Sequence, residues 1–263
     1  MFKNIAIGQY YPGNSLIHRL DPRTKIITTF AFIVCLFLVR RSGYVAVTAL
    51  AALLVVVSRV PIRFVARGLR PILFIALLTF FLNALVTPGL PLFSLGPLVI
   101  TREGLYQGVF LVWRLILLVL ITSFLTLTTP PVVLTDGIES LLRPFRRFGV
   151  PAHELAMMMT IALRFIPTLL EEAEKIMKAQ MARGADFESG NIIQRAKNLI
   201  PLLIPLFVSA FRRADDLAVA MEARCYHGGE NRTRLKELHY HTGDYLVYGC
   251  AALLFALVLW ARR

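Results

Sequence analysis

The sequence predicts an all-α integral membrane protein, with four to six transmembrane helices and long amphipathic helices facing the cytoplasm. Three observations carry that expectation. Of 263 residues, 57% are hydrophobic and 17% charged, with a mean hydropathy of +0.65, whereas about a quarter of a soluble domain is charged. Several apolar runs approach the roughly 20 residues that cross a bilayer core as helix. The charges are also segregated: residues 1–130 hold twelve basic side chains and two acidic ones, Asp21 and Glu103, while thirteen of the sixteen acids fall between Asp136 and Glu237. A disordered chain and a coiled coil are excluded. The net charge of +13 suits nucleic acid only if it forms an accessible patch. Here the Lys and Arg side chains abut hydrophobic runs, as in the cytoplasmic loops of membrane proteins, so no nucleic-acid partner is expected.

The elements follow in order. Residues 1–25 are polar and carry Lys3, His18, Arg19, Asp21, Arg23 and Lys25, so no cleavable signal is expected and the N-terminus is placed inside. Two short spans come next, Ile26 to Val39 and Tyr44 to Val57, separated by Arg40-Arg41-Ser42-Gly43. Arg59, Arg63, Arg67 and Arg70 crowd the following connection. A third span runs from Ile72 to Val86 and stops at Thr87-Pro88-Gly89, after which Pro91, Gly96 and Pro97 mark a loop. Leu105 to Leu127 is the longest run. It contains Arg114, which is costly in lipid and must face the bundle interior or snorkel to the surface. Pro130-Pro131 ends it, and Tyr245 to Trp260 forms the last span before Arg262 and Arg263. These runs divide the chain into membrane helices at 1–130, a charged region at 131–242 and a closing span at 243–263. The excess of Arg places the 59–70 connection and the 131–242 region inside. Five spans would leave Arg40, Arg41, Arg262 and Arg263 outside, so the count stays at four to six. Cys35, Cys225 and Cys250 are odd in number and far apart, which speaks against a disulfide framework.

Function belongs to the charged region. Asp136 to Phe148 reads as an amphipathic helix at the interface, with Ile138, Leu141, Leu142 and Phe145 at helical spacing between Arg143, Arg146 and Arg147. Two longer helices share one design. The first starts near His153, is interrupted at Pro167, and sets Ile166, Leu169, Leu170, Ala173, Ile176 and Met177 against Glu171, Glu172, Glu174, Lys175 and Lys178. The second carries Pro201 and Pro205, then a stripe of Phe207, Phe211, Ala214, Leu217, Ala218 and Met221 opposite Arg212, Arg213, Asp215, Asp216 and Glu222. Prolines bend each rod in its apolar half. Their endings match: Met181-Ala182-Arg183-Gly184 and Glu222-Ala223-Arg224-Cys225. Each Arg either caps its helix against the dipole or presents a guanidinium fork to a partner's carboxylates.

Catalytic signatures are missing. There is no GxxxxGK[ST], GxGxxG or HExxH. His227, His239, His241 and Cys225 fit no strong metal-ligand spacing, and Asp215-Asp216 reads as a solvated helix face. Met157-Met158-Met159 offers adaptable packing surface. A membrane-embedded enzyme or a permease with its own substrate path stays open as an alternative.

The stretch Tyr11-Pro12-Gly13-Asn14-Ser15-Leu16-Ile17-His18-Arg19-Leu20-Asp21-Pro22-Arg23-Thr24-Lys25 resembles the opening signature of the transmembrane T components of energy-coupling factor (ECF) transporters, and the paired arginine tips resemble that family's two coupling motifs. The resemblance implies a non-catalytic scaffold in a vitamin or transition-metal uptake system of the cell membrane. Its partners would be two cytoplasmic ABC-type ATPases, which bind ATP and Mg, and a small substrate-binding S component. Carried over, Ala182, Arg183 and Gly184, with Ala223, Arg224 and Cys225, are the tips that dock into the ATPases. Cys225 stands where the family pattern has glycine.

Overall fold

The computed structural model describes residues 10–39, 43–95, 98–187, 189, 191–228 and 237–260. Lys3, Arg40, Arg41, Ser42, Gly96, Pro97, Gly229, Arg262 and Arg263 lie outside them. Apart from one small hairpin, the regular elements of the described chain are helices, as the sequence predicts. In order it forms α1 (Pro22–Leu38), α2 (Tyr44–Ser58), α3 (Ile62–Val86), β1 (Pro91–Leu95), β2 (Leu98–Thr101), α4 (Arg102–Thr128), α5 (Pro131–Leu142), a 3-10 turn (Arg143–Phe148), α6 (Ala152–Ala182), α7 (Ile192–Asn198), α8 (Ile200–Ala223) and α9 (Thr242–Trp260). Four of these, α3, α4, α6 and α9, are long and apolar enough to cross a membrane, and α2 is a shorter apolar helix.

Two units emerge. The first comprises residues 8–138 and 238–263. Its core joins Phe32, Cys35 and Leu36 of α1, Val47 and Ala51 of α2, Leu117 and Ile121 of α4, and Leu254 and Val258 of α9. Cys35 is buried, Cys225 and Cys250 are exposed, and all three are free thiols. Away from this core, α3 exposes Leu73, Phe74, Leu77, Leu78, Phe81 and Leu82, the surface a lipid-facing helix presents.

The N-terminal signature builds a polar clamp at one end of that unit. Asp21 caps α1 by accepting from the Arg23 N–H at 2.8 Å, and Pro22 suits the first helical turn because its missing N–H is not needed there. The Asp21 N–H donates to Asp244 Oδ1 at 3.0 Å, and the His241 N–H donates to Asp244 Oδ2 at 2.8 Å. Asp244 is fully buried. Lys25 Nζ donates to Thr128 O at 2.9 Å and Thr129 Oγ1 at 3.2 Å, tying the start of α1 to the end of α4. At the other end Leu36 clusters with Leu254 and Val258, so α1 and α9 run parallel. The last turn of α9 therefore lies at the end of the unit opposite the signature.

Helices α3 and α4 make the closest pair. Gly104 and Gly108 supply the reason: a Cβ on Gly104 would stand 2.5 Å from Asn83 O, and one on Gly108 would stand 3.2 Å from Phe80 O. This is a GxxxG face, which lets two backbones approach where lipid leaves no hydrophobic drive between helices. Thr101 starts α4 by accepting from the Gly104 N–H at 3.1 Å. Arg114 faces inward, with Nε donating to Tyr44 Oη at 2.8 Å and its guanidinium over the Phe37 ring.

Several expectations are corrected. The Arg59 to Arg70 stretch is helical from Ile62, with Pro71 inside α3. Arg63, Arg67 and Arg70 extend a span, while Arg59 caps α2 in the connection. Within the expected loop, Pro91–Leu95 forms β1, which pairs antiparallel with β2, with a register shift between Pro91 and Phe93. The helix expected over Asp136 to Phe148 begins earlier, at Pro131, and gives way to the 3-10 turn at Arg143. Pro144 has no N–H for an α-helical bond.

Candidate functional site: two arginine tips

The second unit contains residues 139–237, and within it α6 packs against α8. Helix α6 runs unbroken through Pro167, and α8 runs unbroken through Pro205 with Pro201 in its first turn. Pro201 therefore starts a helix instead of bending one. The apolar face read on α6 is turned inward, with Ala173 buried and Ile166, Leu169, Leu170, Ile176 and Met177 half-buried. On α8 the inward row is Leu202, Leu206, Ala210, Arg213 and Leu217. Phe207 and Phe211 of the expected stripe point out, 60% and 69% exposed.

The two rods meet at an ion pair. Arg213 Nη2 donates to Glu172 Oε2 at 3.0 Å. Each partner precedes its own tip by the same eleven residues, 172 to 183 and 213 to 224, so equivalent positions of the two rods touch. That is the contact an internal two-fold relation produces. With both groups partly exposed, the pair contributes at most about 1 kcal/mol. At 1.5 Å per residue each arm from the contact to its tip spans about 16 Å.

The tips are the same structure twice. In α6 the cap residue is Arg183, Gly184 N–H donates to Met181 O, and Ala185 N–H donates to Gln180 O, both at 3.0 Å. In α8 the cap residue is Arg224, Cys225 N–H donates to Glu222 O at 2.9 Å, and Tyr226 N–H donates to Met221 O at 3.0 Å. Both are Schellman endings, which close the last carbonyls through one residue in the left-handed region. Gly184 holds that place with φ +87° and Cys225 with φ +55°. The departure from glycine is thus absorbed by the backbone: Cys225 adopts the conformation its counterpart adopts. Arg183 and Arg224 are exposed, and neither guanidinium has a hydrogen bond or ion pair among the described residues. The cations sit at the cap position, one residue past the last turn, where the helix dipole still favours them.

One connection was invisible in the sequence. Tyr226, the residue that completes the second tip, hydrogen-bonds through Oη with His153 Nε2 at 3.2 Å, and His153 Nδ1 meets Glu139 Oε1 at 3.0 Å. The second tip is thereby held beside the first turn of α6, while the first tip ends that same helix. The two therefore project in opposite directions from the crossing, on the order of 30 Å apart. The partners are 73 residues apart, and no local pattern announces such a bond. Among the described residues no group of three His, Cys, Asp or Glu side chains could hold a metal ion. Asp215 and Asp216 lie exposed on α8.

Helical spans joined to packed, charged rods with matched ends define an all-α membrane protein. Comparison with known proteins is specific. Residues 13–235 match the cobalt transport protein family. The chain is 61% identical over 253 residues to the energy-coupling factor transporter transmembrane protein EcfT of Thermosediminibacter oceani, covering 96% of each chain. It is 54% identical to the protein of that name from Clostridium kluyveri, over all of this chain and 98% of the relative. The Bacillus subtilis protein of that name is 50% identical over the whole of both. The chain belongs to this family of energy-coupling transmembrane components, as its N-terminal signature suggested.

Proposed function

We propose that this chain is the energy-coupling scaffold of an ECF-type importer in the cell membrane, with residues 131–242 facing the cytoplasm between membrane segments 1–130 and 243–263. Two ABC-type ATPases bind ATP and Mg and hydrolyse the nucleotide, and this chain itself catalyses nothing. Ala182-Arg183-Gly184 docks into one ATPase and Ala223-Arg224-Cys225 into the other. A small membrane S component brings the substrate, a vitamin or a transition-metal ion.

The observation that carries this reading is the pair of identical Schellman tips at equal distances from one crossing. Each presents an exposed guanidinium fork, which bonds carboxylates bidentately. Closure of the ATPase pair draws the tips along with it, and the rods turn about the Glu172–Arg213 contact. The S component rests against the apolar faces of the rods, and a change in their crossing angle lets it reorient.

The test is Arg183→Ala with Arg224→Ala, assayed by co-purification of the ATPases and by uptake. Each substitution removes a central interface arginine, a change on the order of 2 kcal/mol or more. The double variant is expected to insert normally while losing both ATPases and uptake. Undiminished association and transport would refute the proposal.

A further inference from the structure

A surface that the coupling role does not use lies on the 3-10 turn Arg143–Phe148. Such a turn has three residues per turn, so residues three apart stack in rows. Arg143 and Arg146 form one row, Phe145 and Phe148 the next, and Pro144 and Arg147 the last. All six are exposed. Phe148 keeps 82% of its surface free and Phe145 51%, with the rings 6.4 Å apart. Beside them Ser140, Arg143, Pro144, Arg146 and Arg147 line a shallow, open recess, and among the described residues no acidic side chain lines it.

Two features identify the occupant. Arg143 and Arg147 beside one recess favour an anion, and Arg favours phosphate through its planar fork. The exposed rings demand an apolar neighbour, and aromatic side chains beside cations are the make-up of a segment lying at a membrane surface. Free phosphate meets only the first demand.

We propose that this turn binds the headgroup phosphate of an anionic phospholipid. Arg143 and Arg147 grip the phosphate, the Ser140 hydroxyl donates to it, and Phe145 and Phe148 rest at the level of the upper acyl chain. The inference stands on the membrane class of the chain and does not need the coupling role.

The experiment titrates the full-length protein in detergent with phosphatidylglycerol and, separately, phosphatidylcholine, counting bound lipids by native mass spectrometry. The variant is Arg143→Gln with Arg147→Gln, and the control removes the same charge elsewhere with Arg195→Gln and Arg212→Gln, both exposed. Wild type and control are expected to retain a phosphatidylglycerol that phosphatidylcholine does not replace. The variant should bind it about a hundredfold more weakly, the ratio corresponding to two lost charged contacts at roughly tenfold each. Equal weakening in the control, or none in the variant, overturns the proposal. Displacement of the lipid by millimolar inorganic phosphate overturns it in favour of a free-anion site. A variant that keeps its lipid but sheds an ATPase when the complex is purified overturns it in favour of protein docking.

Discussion

Replacing Gly184 with Ala isolates the backbone requirement of the first tip. The residue sits at φ +87°, and a Cβ added there meets nothing within 4 Å. Crowding therefore contributes nothing, and the cost is that of holding an L side chain in the left-handed region, about 1–2 kcal/mol. That cost falls on the closed tip and is offset by about 0.4–1 kcal/mol from the stiffer open chain, leaving about 1 kcal/mol, so the open population rises roughly fivefold. Amide hydrogen exchange at Gly184 and Ala185, whose N–H groups bond Met181 O and Gln180 O, should accelerate by that factor. Exchange at Cys225 and Tyr226 in the second tip should stay unchanged, which separates the local effect from general unfolding. The reciprocal change, Cys225→Gly, relieves the same strain at φ +55°. It also frees the unfolded chain, at a cost of about 0.4–1 kcal/mol, so its net protection is small and positive. Exchange at Gly184 and Ala185 within twofold of wild type in Gly184→Ala would refute the reasoning.

Three further outcomes test the membrane unit. Asp244→Ala removes a buried carboxylate that accepts from the Asp21 and His241 N–H groups; at about 1.5–3 kcal/mol per bond to a charged group, the thermal midpoint should fall sharply, with Asn recovering part of the loss. Gly104→Val drives a side chain into Asn83 O and Ala84 Cα, and overpacking of about 1–3 kcal/mol should lower the midpoint and open the α3–α4 contact to cross-linking reagents; an unchanged midpoint would rule out the close approach. His18 accepts from Ser15 Oγ at Nδ1, 2.7 Å, and donates from Nε2 to Tyr11 O, 3.0 Å. Burial lowers its pKa below 6.5, with Lys25 acting in the same direction and the Tyr11 bond opposing both. The neutral form is therefore the folded one. Its stabilisation is complete above about pH 6.5 and lost as the pH falls toward the lowered value, and a pH series of melting midpoints should show that loss in wild type and not in His18→Gln.

What the sequence revealed depended on how local the cause was. Apolar runs fix where α1, α2, α4 and α9 lie, because length and hydropathy are written in consecutive residues. The first turns of α3 were hidden: Arg63, Arg67 and Arg70 look like a connection, yet long basic side chains snorkel from a helix end without breaking it. The β1–β2 hairpin was hidden for the opposite reason, since Pro and Gly around it read as loop while its pairing is made by backbone alone. The arginine tips were legible because a helix terminus is settled by a few adjacent residues. That Cys225 takes the left-handed conformation was not, since the local preference there points to glycine. The Glu139–His153–Tyr226 chain and the Asp21–Asp244 bond join residues far apart in sequence, and no periodicity encodes them. Gly104 and Gly108 stood in plain view, but a GxxxG spacing acquires meaning only once Phe80 and Asn83 are found against it.

The membrane unit is discontinuous, with residues 139–237 inserted between its first 130 or so residues and its last helix. During synthesis, α1 and α4 must wait for α9 while that insertion is made, roughly 5–20 s at about 5–20 residues per second. Throughout that interval Asp21 lacks the carboxylate that its N–H will meet, and the apolar groove destined for Leu254 and Val258 stands vacant. Asp244 thus closes the clamp last: a chain released before α9 lacks the carboxylate that the Asp21 N–H meets and the side chains of Leu254 and Val258 that fill the groove.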